Sequence, residues 1–124
     1  MTEQIIKSLE GKELESIRID SVENSIEFII SENENSVETI GFEGILEFNY
    51  LPDFSDKGPL LILDCEYESG LLKNMIRKIN LLWAKEAPAV EGYLDVEVHR
   101  LKILSGDVEL IIAFKKIKTG TQKT

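Results

Sequence analysis

The chain has 124 residues, 43% apolar and 30% charged, which fits one globular domain and excludes wholesale disorder. A net charge of −9 disfavours nucleic acid and anionic membrane surfaces as partners, because both repel such a field. One cysteine, Cys65, and one histidine, His99, exclude an intrachain disulfide, a cysteine-based metal site and zinc sites of the two- or three-histidine type.

The N-terminus, Met1-Thr2-Glu3-Gln4, lacks the basic and apolar regions of a signal peptide, and no apolar run is long enough to cross a bilayer. A cytoplasmic protein is expected. Thr2 caps a short first helix with Ile5, Ile6 and Leu9 on one side, and Gly11 is placed to end it. The apolar period then falls to two. Ile17 and Ile19 alternate within residues 14–20, and Ile26, Phe28 and Ile30 within 25–31. A third strand runs Ile40, Phe42, Gly44, Leu46, Phe48 on one parity, with Glu43 and Glu47 on the other. Short polar turns between them predict an antiparallel meander with one wet face. Gly44 is read as making room for a large neighbour such as Trp83 or Tyr67.

Residues 51–59 carry Pro52, Gly58 and Pro59 and predict an irregular loop. Residues 60–68 follow as a fourth strand, with Cys65 and Tyr67 inward and Asp64, Glu66 and Glu68 outward. Ser69 caps a main helix whose Leu72, Met75, Ile76, Ile79, Leu82 and Trp83 form one stripe, stopped by Pro88. Residues 93–104 and 108–117 predict a hairpin about Ser105-Gly106-Asp107. Its first strand changes parity between Val98 and Leu101, which predicts a bulge at His99-Arg100. The expected fold class is α+β: an antiparallel sheet of about six strands, one main helix packed on one face, and the short N-terminal helix. The domain is expected to span 1–117, followed by a flexible basic tail, 118–124.

Charge is unevenly distributed. Residues 1–69 hold 17 acids and four bases, a net −13, whereas residues 70–124 hold six acids and ten bases, a net +4. Such asymmetry points to a charged partner, or to a surface that only keeps the protein hydrated. Asp64, Glu66 and Glu68 recur every second residue, so their Cβ atoms lie roughly 6–7 Å apart on one face. That overlaps the carboxylate spacing of some glycoside hydrolases, but nothing nearby desolvates one of them for acid catalysis. Asp53, Ser55 and Asp56 bring oxygen atoms to the loop without a calcium-loop pattern, and turn formation explains them. His99, beside the expected bulge, is the best single place for a functional ionisable group. Cys65 reads as a buried, inert thiol. Trp83, Tyr93 and Phe54 read as core before interface. No catalytic, metal or cofactor residue is assigned.

The segment Ile40-Gly41-Phe42-Glu43-Gly44-Ile45-Leu46-Glu47-Phe48, the acidic strand entering Ser69-Gly70-Leu71-Leu72, and Asp107 to Ala113 in a late hairpin together resemble a group of small uncharacterised bacterial proteins. Some of these look like immunity proteins of polymorphic toxin systems. The charge of the first 69 residues points to a non-enzymatic protein-binding domain that presents an acidic sheet face, made of Glu43, Glu47, Asp64, Glu66 and Glu68, to a basic partner. The resemblance implies an immunity protein neutralising a basic toxin as its specific form. Two other readings stand beside this one: a structural or regulatory homo-oligomer, and a small hydrolase-like enzyme centred on His99.

Overall fold

Ile5, Ile6 and Leu9 recur at helical spacing, and the chain opens with helix α1, Thr2–Lys7, whose Glu3 and Lys7 sit at the ends that the helix dipole favours. Beyond it the alternating period takes over and the chain is mostly strand. The computed structural model describes residues 2–33, 36–51, 59–75, 95–106 and 108–123, the side chains of 32, 33, 36 and 121–123 excepted.

The strands are β1 (Glu13–Asp20), β2 (Ser25–Asn33), β3 (Ser36–Glu43), β4 (Glu47–Leu51), β5 (Leu60–Leu61), β6 (Asp64–Leu71), β7 (Glu97–Ser105), β8 (Val108–Phe114) and β9 (Lys116–Lys123), with helix α2 at Leu72–Met75. They form two antiparallel sheets, β5-β1-β2-β3-β9 and β4-β8-β7-β6. The turn from β1 to β2 is built by Asp20, whose Oδ1 accepts the Val22 and Glu23 amides at 3.1 Å each, and by Asn24 at φ 51°. Between β7 and β8, Gly106 takes φ 61°, which a side chain would resist.

Gly44 sets the architecture. At φ 66° it breaks the run of alternating residues, and the chain leaves the first sheet as β3 and enters the second as β4. Residues 114–116 make the reverse passage alongside, from β8 into β9. The two passages are tied together: the Lys115 amide donates to the Glu43 carbonyl at 2.9 Å, and the Leu46 amide to the Ala113 carbonyl at 2.8 Å. One two-stranded ribbon therefore bends through both sheets, as β3–β9 and then β4–β8. The chain also crosses between β5 and β6, where the Ile62 amide bonds to the Lys12 carbonyl and the Leu63 amide to the Leu104 carbonyl.

Between the sheets lies one main core. Phe28, Phe42 and Phe114 stack edge to face, with successive ring centroids 4.8 Å apart, and Ile40, Leu101 and Ile112 close around them. Ile6 and Leu9, from α1 and the turn after it, are fully buried in the same core. A second, smaller cluster lies on the opposite side of the four-stranded sheet, where Leu72 and Met75 of α2 cover Val98 and Ala113.

The α+β expectation, with one sheet of about six strands and a main helix across it, is overturned by this two-sheet, mostly β architecture. The physical reason is that each sheet's apolar face is covered by the other sheet, so no long helix is required there. The helical stripe beginning at Leu72 and Met75 is used, but on the outer face; its continuation through Trp83 to Pro88 lies outside the described residues. So do Tyr93, Asp107 and the loop carrying Asp53, Phe54, Ser55 and Asp56. The bulge at His99-Arg100 is absent, because β7 pairs in unbroken register with β6 and β8. Its change of parity has another cause: Val98 feeds the outer cluster, whereas Leu101 and Ile103 feed the inner core. The tail expected to be mobile is, through Lys123, strand β9 in register with β3. Gly44 does not accommodate Trp83 or Tyr67, since the side chain packed over it is that of Lys115.

Candidate functional site

On β6 the alternation sends Cys65 and Tyr67 inward and Asp64, Glu66 and Glu68 outward. The pairing of β6 with β7 and β8, and of β8 with β4, brings Glu47 and Glu109 onto the same outer face. Four of the five expected acidic residues, Glu47, Asp64, Glu66 and Glu68, thus share one surface. Glu43 does not. It ends β3 in the other sheet, where it is ion-paired with Lys118 and raises that ammonium's pKa by accepting its hydrogen bond.

The bases of this face come from β7. Arg100, only 20% exposed, lies between Glu47 (3.6 Å) and Glu68 (3.9 Å), and Lys102 reaches Glu109 at 3.2 Å. Glu66 stands opposite Lys102 and Glu68 opposite Arg100 in the ladder. The acid-rich first half and base-rich second half of the chain are therefore neighbours in space, and much of the sequence asymmetry becomes cross-strand pairing. Among the described residues of this face, five acids still outnumber two bases. Asp64 and Glu66, both exposed, carry its least compensated charge.

The outer edge of β6 is closed at Cys65 by α1 and the turn after it. Lys7 Nζ donates to the Cys65 carbonyl, and Glu10 Oε1 accepts the Cys65 amide at 3.2 Å. That amide, together with the Lys7 ammonium, holds the Glu10 carboxyl below its usual pKa. The Cys65 thiol itself is buried, and desolvation pushes it up to about 12, so it stays protonated and unreactive.

His99 faces the inner core. Its ring is stacked between Tyr67 and Phe114 (centroids 5.9 and 5.3 Å), and its Nδ1 shares a 2.7 Å hydrogen bond with the Tyr67 hydroxyl. Burial lowers its pKa, opposed by the charge of Glu97. Among its described contacts no carboxylate accepts a hydrogen bond from it, which a general base oriented by an acid requires. Among the described residues, no three of His, Cys, Asp and Glu are grouped so as to hold a metal ion. No helix among them is long and apolar enough to cross a membrane.

One feature escapes sequence reasoning altogether. A cleft of about 410 Å³ opens between β1 and β4, lined by Leu14, Glu15, Ser16, Ile17, Ile19, Phe48, Tyr50 and Leu60. Ile17 and Ile19 stand opposite Phe28 and Ile26, and Phe48 and Tyr50 opposite Ile112 and Leu110, so these four of its lining residues are on the core-facing sides of their sheets. In sequence they look like ordinary core positions. Only Pro59, directly before Leu60, signals that the β5 ladder with β1 cannot be extended by backbone pairing at that residue.

No protein-family model and no curated protein matches this chain.

Proposed function

We propose that the protein is a non-enzymatic protein-binding domain that offers the outer face of its four-stranded sheet to a basic partner. The observation that carries this reading is the convergence of Glu47, Asp64, Glu66, Glu68 and Glu109 on one face with, among the described residues of its strands, only Arg100 and Lys102 between them. A field of this kind accelerates encounter with a cationic surface and selects against anionic ones. The paired Arg100 and Lys102 hold the acids in fixed positions, and the exposed Asp64 and Glu66 are left to meet the partner. An immunity protein acting on a basic toxin in the cytoplasm is the specific form that the sequence resemblance implies.

Capture from the native cell with wild type and with Asp64→Lys/Glu66→Lys, side by side, tests it. A basic protein retained by wild type and lost from the double variant is the expected result. Equal retention by both would defeat the acidic-face reading.

A further inference from the structure

We draw no further inference here: the strongest candidate, the polar cavity at the Gly44 corner lined by Glu23, Ser25, Glu43, Lys115, Lys116 and Lys118, carries nothing, because Lys118 is already ion-paired with Glu43 and nothing in the structure shows what fills or covers it.

Discussion

His99 is held between two aromatic rings with its Nδ1 against a phenol, an environment that favours the neutral imidazole. Its pKa is therefore lower in the folded than in the unfolded chain, where it lies near 6.5. Below about pH 6.5 the unfolded state binds the extra proton first, so stability is full above that pH and falls as the pH drops through the folded value. Urea unfolding followed from pH 7.5 to 5 should show this loss, and His99→Gln should flatten it. Glu10 titrates in a lower window, since its folded pKa lies below the ordinary carboxylate value, so the two contributions separate along the pH axis. An unchanged pH slope in His99→Gln would show that the buried ring does not govern stability there.

At the level of elements, the alternating strands were legible: β2 and β8 follow directly from Ile26, Phe28 and Ile30 and from Leu110 and Ile112, and β1 from Ile17 and Ile19 beyond its irregularity between Leu14 and Ser16. The places where strands change sheet were not. Residues 40–48 alternate without a break in sequence, yet at Gly44 the parity changes: Ile45 packs on the inner core and Leu46 on the outer cluster, so only the backbone conformation of Gly44 divides β3 from β4. Likewise the parity change in β7 suggested a bulge, although the strand is regular and simply serves two cores on its two sides. Gly44→Ala tests the passage. A Cβ there would lie 2.9 Å from Lys115 Cδ and 3.0 Å from its Cβ, on a backbone that side chains resist. The expected loss is about 1–3 kcal/mol in chemical denaturation. An unaltered midpoint would mean the corner is not strained by a side chain.

β9 is the second element hidden from the sequence. Lys118 and Lys123 read as a solvated tail and Lys116 and Ile117 as the end of the hairpin strand, and β9 becomes visible only when Ile117 is set opposite Phe42 and Lys116 opposite Glu43. Ending the chain after Lys115 should cost at least about 2 kcal/mol, because it strips the β3 edge and uncovers Phe42. A mobile tail would give no change.

For the molecule as a whole, net charge gives a poor picture of where the field lies. The acidic half of the chain folds against the basic half, so Glu43 meets Lys118 and Glu47 and Glu68 meet Arg100, while Glu109 pairs with Lys102 within the basic half. Alternation alone placed Asp64, Glu66 and Glu68 on one outward face. The membership of Glu47 and the exclusion of Glu43 depend on the sheet crossing at Gly44, and the cleft beside β1 depends on which strands become edges; neither is a local property of the chain. The field that remains after pairing is the one the proposed function uses, and a partner's association rate reads it directly. With the captured basic protein, the account predicts that Asp64→Lys/Glu66→Lys slows association about tenfold or more at low salt and flattens its salt dependence, with a smaller change in the dissociation rate. An association rate that is the same for wild type and the double variant at low salt would contradict it.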